Sequence, residues 1–186
     1  MSRGTRLHAP VALTLVAAVH AMTVAPEISD ALHDVRLVGS GELRFFGLPV
    51  YEARLWARPG FDPAHFERNP FALEIRYARR LPGNAIAERS IAEMRRIGDF
   101  SPEEGQRWLG IMREAFPDVA DGDRLTGVND GQGGVRFFHN GRAGPALQDA
   151  RFAHLFFGIW LSERTPSRAL RESLVAGATS VPTTAP

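Results

Sequence analysis

Neither cysteine nor lysine occurs in this 186-residue chain, so every one of its 22 basic side chains is arginine. Without cysteine there is no disulfide framework, thiolate nucleophile, cysteine metal site or lipid-bearing thiol. Without lysine there is no Schiff-base chemistry, no pyridoxal site and no Walker-type phosphate loop. Long apolar runs are missing as well. Val11–Val19 and the stretch "FAHLFFGIWL" both fall short of the roughly 20 residues that cross a bilayer. A surplus of positive charge is also absent, the formal net charge being +1, so the chain lacks the basic excess on which binding to nucleic-acid backbones depends.

The N-terminus carries a processing pattern. Arg3 and Arg6 precede the short apolar run, and "VHA" or "TVA" then supplies a small residue for cleavage. Residues 1–25 are therefore expected to be a secretory signal peptide, and the protein to be periplasmic or secreted. Once Arg3 and Arg6 are removed, acids slightly outnumber bases. A single domain is expected over residues 26–177, and "ATSVPTTAP" leads into a disordered tail over residues 178–186.

Between these ends the hydrophobic period alternates. "VRLVGSGELRFFG" and "PVYEARLWA" have β-strand character, and Gly39, Gly41, Gly47 and Pro49 suit bends. Tyr51, Ala53 and Leu55 would share a core face, with Glu52, Arg54 and Trp56 on the other. "FALEIRY" repeats the pattern, placing Leu73, Ile75 and Tyr77 inward and Glu74 and Arg76 outward. The next segment changes to helical spacing at Ile86, Ser90, Ile91, Met94 and Ile97, with Asn84 as the expected cap and Gly98 as the stop. Ser101, Pro102 and Glu104 form a capping box for a second helix. A strand meander follows, with an Asn140-Gly141 turn. Asp149 is then placed to cap "ARFAHLFFGIWL", and Thr165-Pro166 opens a last short amphipathic helix.

The "FAHLFFGIWL" helix is apolar nearly all round, with His154 as its main polar exception, and such a helix belongs in a core. Gly158 leaves a gap where a strand, a helix or a ligand can approach closely.

The order of "LVGSGELRFFGLPVYEARLW", "FPDVADGDRLTGV", "FFHNGR" and "FFGIWLSERTPSRALRESLV" resembles the chalcone isomerase-like family, in particular its bacterial exported branch. The resemblance covers roughly residues 32 to 177. It implies an α+β open-faced β-sandwich, with a curved antiparallel sheet, a helical layer on one side and a ligand cleft between them. In the plant isomerases an Arg, a Thr and a Tyr guide ring closure by stabilising negative charge on a carbonyl. Here Gly39-Ser40-Gly41-Glu42 lacks the Arg and Phe46 stands at the Thr position, while Tyr51 is retained. No catalytic residue is therefore assigned.

Non-catalytic relatives bind fatty acids through an Arg and a Tyr, as a buried carboxylate requires. By this resemblance the expected ligand-contacting residues are Arg44, Phe46, Tyr51, Tyr77, Phe156 and Trp160. The expected function is non-catalytic binding of a small apolar or amphipathic ligand, such as a fatty acid, by a monomer without a cofactor. The alternatives are an isomerase or intramolecular lyase acting on another substrate, and an envelope interaction module without a ligand.

Other sites are weakly supported. His33, His65, His139 and His154 have no paired metal spacing. "DVADGD" lacks the spacing and closing Glu of a calcium loop and reads as a turn. Arg76, Arg79, Arg80, Arg95 and Arg96, interleaved with Glu74, Glu88 and Glu93, read as a solvated mixed-charge face.

Overall fold

The computed structural model describes residues 23–178, so most of the expected leader and tail lie outside the described residues. Strands β1 (Arg36–Phe45), β2 (Leu48–Ala57), β3 (Phe71–Tyr77), β4 (Arg124–Asn129), β5 (Gly134–His139) and β6 (Arg142–Gln148) form one sheet in chain order. Every neighbouring pair is antiparallel. Register shifts between Leu37 and Gly39, between Leu43 and Arg44, and between Arg136 and Phe138 bend the outer strand pairs, giving the sheet its curve. The fold is the expected α+β open-faced sandwich. Among the described residues, no helix is long and apolar enough to cross a membrane.

Four helices pack on one face: α2 (Gly83–Ile97) and α3 (Pro102–Ala115), inserted between β3 and β4, then α4 (Ala150–Leu161) and α5 (Arg168–Val175) after β6. Local signals fix their ends. Ser101 Oγ accepts from the Glu104 amide, and the Glu104 carboxylate accepts in return from the Ser101 amide at 2.8 Å. Asp149 Oδ1 accepts from the Arg151 and Phe152 amides, while its Oδ2 takes the Trp108 indole N–H at 2.9 Å. One carboxylate thus caps α4 and ties it to α3.

The α4 helix fills the centre of the core. Phe152, Phe157 and Leu161 are fully buried, Phe157 meeting Phe71 edge-on and Phe152 stacking on Phe156. Each such side chain contributes about 1.5–3 kcal/mol through burial. The gap at Gly158 is taken by another helix, since a Cβ there would stand 2.8 Å from Ile97 Cγ2 of α2.

Several local expectations need correction. Gly39-Ser40-Gly41 is no bend but lies inside β1. The glycines allow α5 to settle on that strand, because a Cβ at Gly39 would fall 2.1 Å from the Ser173 carbonyl oxygen. Asn84 does not cap α2. The helix starts at Gly83, whose amide is held by the Asp118 carboxylate at 2.9 Å from a distant turn.

The second sheet face is also less polar than its alternation suggests. A short helix, α1 (Pro26–Ala31), lies across it and buries Ile28 and Leu32 against Trp56, Ala72, Val128 and Phe138. Glu27 of α1 is buried there and ion-paired to Arg124 at 2.6 Å. Glu74, expected to face solvent, is only 4% exposed. Burial raises its carboxyl pKa, opposed by Arg124 and Arg54.

Candidate functional site

A cleft of about 520 Å³ opens between the concave side of the sheet and helices α2, α4 and α5. Ligand sites typically occupy about 300–1,000 Å³, so one small molecule fits. Leu73, Ile75 and Leu125 supply its sheet wall, and Ile86, Phe116, Phe156 and Ile159 much of its helical and loop wall. Strand alternation turns every second residue of β2 and β3 into this space, which brings Tyr51 and Tyr77 side by side as cross-strand partners. Their rings meet edge-on with centroids 6.2 Å apart.

The polar groups are few. Trp160 Nε1 donates to the Tyr51 hydroxyl at 2.9 Å, which uses a lone pair of that oxygen and leaves its own proton available. Burial pushes the Tyr51 phenol up to about 12, only partly offset by the Trp160 bond, and burial also raises Tyr77. Both phenols therefore remain neutral far above physiological pH and can act as hydrogen-bond donors.

Glu93, on α2, is the one buried carboxylate of the lining. Ile86, Ser90 and Glu93 are spaced four and three apart, so they share the helix face that looks into the cleft. Glu93 is 6% exposed and pairs through Oε1 with Arg89 at 2.5 Å. Its Oε2 has Arg96 Nε at 3.6 Å and makes no hydrogen bond.

Five of the six expected contact residues, Arg44, Tyr51, Tyr77, Phe156 and Trp160, line this cleft. Arg44 does so from the rim, where it is exposed and paired with Glu42 at 2.8 Å. Phe46 does not line it. It sits beyond the end of β1 in the hairpin turn, with φ of 48° and 91% exposure, so the strand alternation that would have turned it inward no longer applies. Glu93, Arg89 and Arg79 were missed. The charge pattern groups Glu93 and Arg79 with a solvated face, although the helical spacing from Ile86 and Ser90 carries the signal for Glu93.

The sequence pattern of the chalcone isomerase-like family matches residues 17–176. The chain belongs to the chalcone isomerase-like family. Among solved structures, it is similar to the Arabidopsis thaliana fatty-acid binding protein. That match has a TM-score of 0.62 and 11% identity, and covers 77% of this chain and 88% of the plant protein. At such identity the likeness concerns the fold. No protein of curated function matches the sequence. In this chalcone isomerase-like chain the cleft lies between sheet and helices, as the resemblance implies. Its first strand carries Glu42, and the exposed Phe46 stands in the turn after it, where the plant isomerases are expected to have polar groups.

Proposed function

We propose that the protein is an exported, non-catalytic carrier or sensor of a single-chain amphipathic lipid, for which a fatty acid is the simplest candidate. The observation that carries this reading is the composition of the cleft. Its walls are aliphatic and aromatic side chains, interrupted by a small set of polar groups around Tyr51, Tyr77 and the Arg89–Glu93 pair. An alkyl chain would lie along Leu73, Ile75, Leu125 and Phe156, and a polar head would accept from the two phenol O–H groups. Burying apolar ligand surface at about 25 cal/mol per Å² supplies the driving force, and the donors avoid the cost of a desolvated head without partners.

Two further observations favour binding over catalysis. The phenols are held neutral, so neither is poised as a base near neutral pH. The exposed Glu42 is neutralised by Arg44, so this part of β1 offers a developing oxyanion no free cation. The fatty-acid binding protein that shares the fold is consistent with the same use of the cleft.

Native mass spectrometry of protein purified without detergent tests the reading. A co-purifying lipid, replaceable by added fatty acid with a rise in Tm, is expected. A bare protein whose Tm no fatty acid of any chain length moves would defeat it.

A further inference from the structure

The hairpin joining β1 to β2 exposes apolar side chains, and two of them, Phe46 and Leu48, are explained neither by folding nor by the cleft. Phe45 is 62% exposed, Phe46 91% and Leu48 61%, and these are the large exposed apolar side chains among the described residues. Phe46 also has a positive φ of 48°, a conformation that favours Asn or Gly over an aromatic residue. A bulky apolar group thus stands in solvent at a position where the turn itself prefers a small or polar one.

The tip is ordered rather than loose. The Phe45 and Phe46 rings meet edge-on at 4.4 Å, and Arg44 holds the turn by donating to the Gly47 carbonyl at 3.0 Å and to Glu42 at 2.9 Å.

Two features identify what this surface fits. First, the tip is continuous with the cleft, since Leu43, Arg44 and Phe45 line its mouth. Second, the chain leaving β3 passes beside the same end of the sheet, the Ala78 amide donating to the Val50 carbonyl at 3.0 Å. The residues that follow, Arg79 and Arg80, are exposed, and neither forms an ion pair among the described residues. Arg79 also lines the cleft mouth. Exposed apolar side chains near the same end of the sheet as the unpaired guanidinium groups of Arg79 and Arg80 match an anionic lipid interface, where rings and aliphatic groups enter the acyl boundary and cations meet head groups.

We propose that the β1–β2 hairpin tip docks the protein on anionic membranes, with Phe46 and Leu48 immersed and Arg79 at the head groups, so that the cleft mouth faces the bilayer. A lipid could then pass between membrane and cleft without crossing water. The purpose of docking rests on the proposed lipid function, whereas the docking itself is measured separately.

The test is flotation of the full chain with phosphatidylglycerol-containing vesicles and with pure phosphatidylcholine vesicles, alongside a Phe46→Gly/Leu48→Ser variant. Glycine accepts the positive φ of the turn and neither residue lines the cleft, so folding and fatty-acid affinity in solution should be retained. The wild-type protein should partition onto anionic vesicles, more weakly as salt rises, and the variant should lose at least ten-fold in partitioning. Absence of wild-type partitioning, equal partitioning of the variant, or tip-dependent self-association in its place would overturn the proposal. Vesicle binding that depends on the tip, in a protein that takes up no fatty acid in solution, would sustain docking and refute the cleft function alone.

Discussion

The Trp160 indole donates to the Tyr51 hydroxyl across 2.9 Å, joining α4 to β2 at the wall of the cleft. Trp108 is buried beneath Phe100 and Phe152, and Trp56 lies on the opposite sheet face. A ligand entering the cleft should therefore alter the emission of Trp160 alone, and Trp160→Phe should abolish the change. Tyr51→Phe would leave the indole N–H without its partner. A loss of about 1 kcal/mol in urea denaturation is expected, together with weaker binding of lipids that have a polar head.

Glu93 places negative charge beside the polar end of the cleft and occupies Arg89. Glu93→Gln should raise affinity for a fatty-acid anion several-fold, because it removes like-charge repulsion and frees a guanidinium group. Arg89 is largely exposed, so losing its partner leaves no buried charge. Unchanged or weaker binding of the variant at neutral pH would show that Glu93 does not face the head group.

The raised tyrosine pKa values carry a definite sign. In the unfolded chain a tyrosine loses its proton near 10, whereas folded Tyr51 holds it to about 12. The folded state binds the extra proton, so this contribution to stability is fully present below pH 10 and is lost as pH rises toward 12. The loss should approach about 1.4 kcal/mol per pH unit for each such group. Denaturation curves between pH 9 and 12, expected to lose about half of this slope in Tyr51→Phe and the rest when Tyr77 is also replaced by Phe, check it.

Much of this architecture was legible in the sequence, because it rests on local chemistry. The Ser101–Glu104 capping box, the Asp149 cap and the Asn140-Gly141 turn each depend on residues adjacent in the chain. Tyr51 and Tyr77 could be placed on one face because β2 and β3 alternate without interruption. The failures arise where distant segments decide. Asp118 caps α2 from 35 residues away, α5 determines why Gly39 is glycine, and α1 buries a sheet face that its own sequence marks as charged. Phe46 was misplaced because the register shift at Leu43 and the turn after Phe45 end the alternation.

The start of the described fold bears on where a leader would be cut under the proposed export. The Ala25 carbonyl accepts from the Ile28 and Ser29 amides, and Val24 packs against the cluster around Ile28. Cleavage after Ala25 would remove this cap and leave an ammonium group at the N-terminus of α1, where positive charge is unfavourable. Cleavage after Ala21 preserves both contacts. Under the proposed export, intact mass should therefore give a chain beginning at Met22 rather than at Pro26, as a leader over residues 1–25 would leave, and a start at Pro26 would contradict this.

Whether the cleft holds one amphipathic chain is decided by calorimetric titration with palmitate, comparing wild-type protein with Ile86→Trp. Ile86 lines the cleft from α2 and is only partly buried, so a larger ring there should fill the space without opening the core. One-to-one binding to the wild type is expected, with affinity lower by ten-fold or more in a variant whose Tm is maintained. A wild-type protein that binds no palmitate, or a variant that binds it equally well, would show that this cleft is not a lipid site.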